Sequence, residues 1–171
     1  VAEMGRFYKL PHWGYAGCSD AMVMDEQAAA DASYQVRDAL QFGANLVHDV
    51  GYLEAGLTTS PEMMVFSAEM IDMHRRFMQG LSLDDEALAL DVIDQIGPDG
   101  DFISTDHTLT HFRDFWYPQL FERRRQEDWQ ADGSPSLGDV LRDKTVALME
   151  GHQPEPLSAD VETEIERVLS A

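Results

Sequence analysis

Cysteine and lysine are nearly absent from this chain. Cys18 is the only cysteine, and Lys9 and Lys144 are the only lysines among 171 residues. One thiol cannot build an internal disulfide framework, and such sparing use of cysteine suits a reducing cytoplasm. No apolar run approaches the roughly 20 residues that cross a bilayer. The opening residues, Val1-Ala2-Glu3-Met4-Gly5-Arg6, lack the basic segment and apolar core of an export signal. The expected location is therefore cytoplasmic, with no membrane contact. Positive charge is scarce: 12 Lys+Arg stand against 32 Asp+Glu, a formal net charge of −20. A surface this acidic repels nucleic acid and anionic membranes, so neither is expected as a partner. It favours a cationic ligand, or it keeps the chain soluble at high salt.

What is present reads as one folded unit. Hydrophobic residues make up 44% of the chain, a globular rather than a disordered balance. The most informative stretch runs from Gly43 to Glu62. A short apolar segment, Ala44 to His48, ends on a histidine and enters a Gly-punctuated loop. A strong helix start follows: Ser60 can cap it, Pro61 suits its first turn, and Thr59 with Glu62 has capping-box spacing. Such a strand–loop–helix junction places a titratable group at the C-terminal end of a strand. In parallel α/β folds ligands bind along that edge.

Periodicity supplies the remaining elements. Leu10 to Tyr15 reads as a short buried strand, followed by the turn Tyr15-Ala16-Gly17-Cys18. Ser19 or Asp20 then caps a helix to about Phe42, with Ala28, Ala32, Val36, Ala39 and Leu40 on its apolar face. Glu62 to Met78 is a second long helix whose stripe Met63, Phe66, Met70, Met73 and Phe77 faces a core. Ser82 caps a third helix, Asp84 to Ile96. Gly97-Pro98-Asp99-Gly100 turns into a strand candidate, Asp101 to Ser104. Beyond Thr105 the pattern is helical, with Ser136 beside Asp139, and Ser158, marking two late helix starts. The order β-α-β-α-α-β implies an α/β fold with about three parallel strands, followed by a helical tail. Residues 1–105 are expected to form the β/α part and 106–171 a helical extension packed on it. Three strands make a poor closed sheet, so the pattern reads as the end of something larger.

The series Leu10-Pro11, Gly17, Ser19-Asp20, Asp25, Gln27-Ala28, Gly43-Ala44-Asn45, Gly51-Tyr52-Leu53-Glu54, Gly56-Leu57, Ser60-Pro61-Glu62 and Glu69 continues through Ile96 to Phe102, His107-Thr108, Phe112-Arg113 and Trp129. In this order it resembles the trimethylamine methyltransferase family. The resemblance runs from Leu10 to about Leu157. It implies the C-terminal part of a (β/α)8 barrel of TIM type, in enzymes normally much longer. By this likeness the chain is either a fragment or a stand-alone half-barrel.

The resemblance implies methyl transfer from a methylated amine to the Co(I) of a corrinoid (cobalamin) carried by a partner protein, with no cofactor held by the chain itself. The sequence shows only standard residues, so it looks more like the branch without pyrrolysine, where quaternary amines such as glycine betaine are the expected substrates. By similarity His48 lies beside the substrate, orienting it rather than acting as a base. His107 also falls on the family pattern. A quaternary ammonium suits an aromatic cage, where each ring face contributes about 0.5–2 kcal/mol. Trp13, Tyr15, Tyr52, Phe112 and Trp116 are candidates, and Tyr15 and Tyr52 stand out because each adjoins a strand-end loop. Glu54 and Asp49 can offset the ammonium charge. Expected substrate-binding residues are therefore Tyr15, Tyr52, Glu54 and His107.

Other patterns point elsewhere. His107 and His111 share a helix face at metal-ligand spacing, but the adjacent glutamate of the zinc peptidase motif is missing and no metal is expected. Cys18, in a turn before a helix N-terminus, reads first as a small, half-buried turn residue, with a lowered thiol pKa as the alternative. Two alternatives accompany the methyltransferase reading: an inactive half-barrel that only self-associates, and a metal hydrolase built on His107 and His111. An open half-barrel exposes strand edges, so a homo-oligomer or a companion half-barrel is expected.

Overall fold

The structure is a computed structural model and describes residues 1–170. In chain order its elements are α1 (Ala2–Tyr8), β1 (Trp13–Tyr15), α2 (Glu26–Phe42), β2 (Leu46–His48), β3 (Tyr52–Leu53) and β4 (Thr58–Thr59). A 3-10 turn, Glu54–Gly56, separates β3 from β4. Then follow α3 (Pro61–Met78), α4 (Asp85–Leu88), α5 (Leu90–Ile96), α6 (Asp106–His111), α7 (Gln126–Ala131), α8 (Leu137–Gly151) and α9 (Ala159–Leu169).

The result is a mostly helical α/β arrangement with two small sheets. β1 and β2 pair in parallel, with Trp13 opposite Leu46, Gly14 opposite Val47 and Tyr15 opposite His48. α2 supplies the crossover between them, as a parallel pair requires. β3 and β4 form an antiparallel hairpin with Tyr52 opposite Thr59. Among the described residues no third parallel strand joins the pair and no barrel closes.

Several expectations need correction. Asp101 to Ser104 is not a strand: the Asp101 carboxylate accepts the Ile103 amide at 2.8 Å, and Thr105 N–H bonds back to Phe102 O at 3.2 Å. Local side-chain bonding of this kind substitutes a turn for a ladder. The helix expected from Ser19 or Asp20 begins at Glu26, because Asp25 accepts the Ala28 amide while the Ser19 hydroxyl is committed to Asp31. The third helix breaks at Ala89, whose left-handed φ of 47° ends α4, and Asp84 rather than Ser82 is its cap. Finally, the first strand is not buried. Trp13 and Tyr15 are 68% and 64% exposed, and Leu46 of β2 beside them 63%, since nothing among the described residues covers that face of the pair.

The long helices keep most of the buried faces that their patterns predict. On α2, Ala28, Ala32 and Val36 are buried, and the helix ends on Gly43 in the left-handed conformation. Ser60 caps α3 by accepting the Met63 amide at 3.1 Å, with Pro61 in the first turn. The Thr59–Glu62 box does not form; Thr59 is taken by β4, and Glu62 instead accepts from the Ser60 hydroxyl. Met63, Phe66 and Met70 pack against the small residues of α2, but Phe77, at the far end of the stripe, is exposed. Ser136 and Asp139 form a reciprocal capping box at the start of α8. That helix lays Leu141 and Thr145 against α3. Leu53, Met63 and Leu141 are fully buried, each contributing about 1.5–3 kcal/mol.

Candidate functional site

The C-terminal ends of β1 and β2 open into a cleft of about 420 Å³. Its walls come from three places. Tyr15 ends β1, and Cys18, Ser19 and Asp20 follow in the next loop. Asp31 and Gln35, four apart on one face of α2, form a second wall. Asp49, Tyr52, Ala55 and Gly56 form the third. Two phenol rings and three carboxylates thus line the cleft, and no Lys, Arg or His does.

A tight backbone web holds these loops. Ser19 N–H donates to Tyr52 O at 2.9 Å, Gly51 N–H to Gly17 O at 2.8 Å, and Glu54 N–H to Ala21 O at 3.0 Å. Ser19 Oγ donates to Asp31 Oδ2 at 2.6 Å and accepts the Ala21 amide at 3.0 Å. The Cys18 amide and thiol both donate to Gln35 Oε1, at 3.2 and 3.3 Å. Gly51 is required by its surroundings: its φ is +95°, and a Cβ there would lie 2.3 Å from Met64 Cγ. Asp49, Glu54 and Ala55 also have positive φ, at 70°, 50° and 51°. Non-glycine residues adopt this region at a cost, and such outliers gather at ligand sites.

His48 stands opposite Tyr15 in the sheet register, at the rim rather than in the wall. Its Nδ1 lies 2.6 Å from Asp49 Oδ1, so Nδ1–H donates to the carboxylate, and Trp13 meets its ring edge-on at 5.2 Å. In a neutral ring this leaves the Nε2 lone pair free. The Cys18 thiol is pushed up by burial, and next by the Asp49, Asp20 and Asp31 carboxylates. This removes the alternative of a lowered pKa and leaves the half-buried turn residue: α2 starts too late for its N-terminus to stabilise a thiolate.

Tyr15 and Tyr52 are therefore brought together, with His48 and Asp49 beside them. Glu54 sits in the turn at the mouth, its carboxylate accepting from Thr58 Oγ1 at 2.5 Å, and is not in the wall. His107 lies apart on α6, with Nε2 2.9 Å from the Glu86 carbonyl. Phe112 and Trp116 are also outside the cleft, the Trp116 indole donating to Asp72 at 2.5 Å. Sequence reasoning missed Asp31 and Gln35; their i, i+4 spacing along the flank of the apolar stripe of α2 was the available signal. Ser19 and Asp20 were legible only as helix caps.

The family model for trimethylamine methyltransferase (MTTB) matches residues 1–170. The chain belongs to the trimethylamine methyltransferase family. This member is 32% identical over 169 residues to trimethylamine methyltransferase MttB of Desulfitobacterium hafniense, covering 99% of the chain and 34% of that protein. It is 32% identical over 161 residues to the MttB of Methanosarcina thermophila, covering 94% of the chain and 33% of the relative. Glycine betaine methyltransferase of Desulfitobacterium hafniense (strain Y51) is 32% identical over 130 residues, covering 75% of the chain and 27% of that protein. The chain spans about a third of the length of the curated trimethylamine methyltransferases it matches. No helix among the described residues of this family member is long and apolar enough to cross a membrane.

Proposed function

We propose that this chain takes part in the transfer of a methyl group from a methylated, preferably quaternary, amine such as glycine betaine to the Co(I) of a corrinoid protein. The observation that carries the reading is the cleft's lining: Tyr15 and Tyr52 with Asp20, Asp31 and Asp49, and no cationic side chain. A permanent ammonium is attracted to both features. Each aromatic face adds about 0.5–2 kcal/mol, and the carboxylates favour a cation that cannot shed its charge by losing a proton.

A displaced tertiary amine leaves neutral and needs no general acid, so the residues bind and orient rather than exchange protons. His48 is the positioning group at the rim. With Nδ1–H committed to Asp49, it can donate to a betaine carboxylate only when Nε2 is also protonated. When docked, the corrinoid supplies the reduced cobalt that accepts the methyl group. The expected setting is the cytoplasm.

The test is chain-dependent methylation of reduced cobalamin by glycine betaine, followed by loss of the Co(I) absorption band. The proposal expects consumption above the protein-free rate and its loss in Tyr52→Leu. Equal rates with and without the chain contradict it.

A further inference from the structure

We propose that Glu86, His107 and His111 bind one divalent transition-metal ion of the zinc class, which pins α4 to α6. His107 and His111 stand one turn apart on α6 with ring centroids 4.5 Å apart. Glu86 arrives from α4 and places Oε1 3.2 Å from His111 Nε2. One ligand atom from each of the three residues lies within 4.8 Å of the others.

The hydrogen bonds fix which nitrogens are free. His111 Nδ1 is 2.7 Å from Asp114 Oδ2, and His107 Nε2 is 2.9 Å from the Glu86 carbonyl oxygen. Carbonyl oxygens, and carboxylates in their ionised form, only accept, so both nitrogens donate. In neutral rings the lone pairs then fall on His111 Nε2 and His107 Nδ1. Acceptor support behind a histidine is the arrangement that orients metal ligands and raises their basicity. His111 Nε2 faces Glu86 Oε1, so the two are held together either by a proton on Nε2 or, in the neutral ring, by a cation bound between them.

The spacing fits such a charge. Zinc bonds of about 2.0–2.2 Å at a tetrahedral angle separate neighbouring ligand atoms by roughly 3.3–3.5 Å, close to the observed 3.2 Å. The wider 4.8 Å spread closes by turning the exposed Glu86 side chain. Two imidazoles and one carboxylate suit zinc, cobalt or nickel better than calcium or magnesium, which prefer all-oxygen shells.

A second observation supports a pin. None of α4, α5 and α6 contains a buried residue, so this stretch has no core of its own. Segments that bury little apolar surface draw stability from metals. His107-x-x-x-His111 by itself lacks a third ligand; the fold supplies it from 21 residues upstream of His107. The site shares no residue with the acidic cleft, so it does not depend on the proposed activity.

The experiment is titration of chelator-treated protein with Co²⁺, read by visible d–d absorption, then displacement by Zn²⁺. The proposal expects a band saturating at one equivalent and bleached by zinc. Glu86→Gln and His111→Asn should each weaken binding at least about tenfold, and Asp114→Asn by about 10–100-fold. Circular dichroism checks that each variant stays folded. No band at one equivalent, or a band unaltered in both Glu86→Gln and His111→Asn, overturns the site.

Discussion

Cys18 shows how the cleft acts on a single residue. Burial and three nearby carboxylates disfavour its thiolate, and Gln35 accepts a hydrogen bond from the thiol form. Alkylation by iodoacetamide should therefore be slower at neutral pH than for a free cysteine and accelerate only at higher pH, because the thiolate is the nucleophile. Asp49→Asn removes one negative neighbour, lowers the thiol pKa and should speed alkylation at neutral pH; an unchanged rate counts against the electrostatic account. Gly51 makes the complementary steric case. Its positive φ and the 2.3 Å approach to Met64 mean that Gly51→Ala should destabilise the chain by about 1–3 kcal/mol in denaturant unfolding. A neutral result contradicts that packing. The sequence showed Gly51 as loop punctuation and Cys18 as a turn residue, but the neighbours that define their chemistry come from α2 and α3, far along the chain.

Among the elements, α3 does the most to organise the fold, and a polar residue is central to it. Glu69 is buried on α3, and its Oε1 accepts the Gln119 amide at 2.6 Å and the Leu120 amide at 3.1 Å. This fastens the 119–121 segment so that Leu120 is buried and Phe121 meets Phe66 edge-on at 6.1 Å. Glu69→Ala strands two amides and should cost about 1–3 kcal/mol, measured as a lowered unfolding midpoint at unchanged slope. An unaltered midpoint refutes the role. The extents of α2 and α3 were legible because 3.6-residue periodicity, Ser60, Pro61 and Gly43 agree with one another. The start of α2 was not, since Ser19 and Asp20 read as its caps while Asp25 takes that role, and only tertiary bonding commits Ser19 to Asp31. The Asp101–Ser104 strand failed for a similar reason, an aspartate side chain capturing a backbone amide.

At the scale of the molecule, the parallel pair β1–β2 leaves two strand edges and an aromatic face in water. Open edges and exposed apolar patches favour association. We propose that this face meets a second copy of the chain. Size-exclusion chromatography with light scattering should show a concentration-dependent dimer, shifted toward monomer by Leu46→Lys; a monomer at all concentrations contradicts it. Strand number was hard to read from sequence because two- and three-residue strands carry almost no periodic signal. Tyr15 and Tyr52 were read as cage candidates from their places beside strand-end loops, and both line the cleft.

The central claim is that the cleft holds a methylated cation by charge and aromatic contact together. Calorimetric titration of the chain with tetramethylammonium, and with a neutral tert-butyl analogue of the same shape, tests it most directly. The account predicts that the cation binds, that the neutral analogue does not, and that Tyr15→Leu and Tyr52→Leu each weaken the cation by about 2- to 30-fold. Equal affinity for both ligands, or no effect of either substitution, would contradict it.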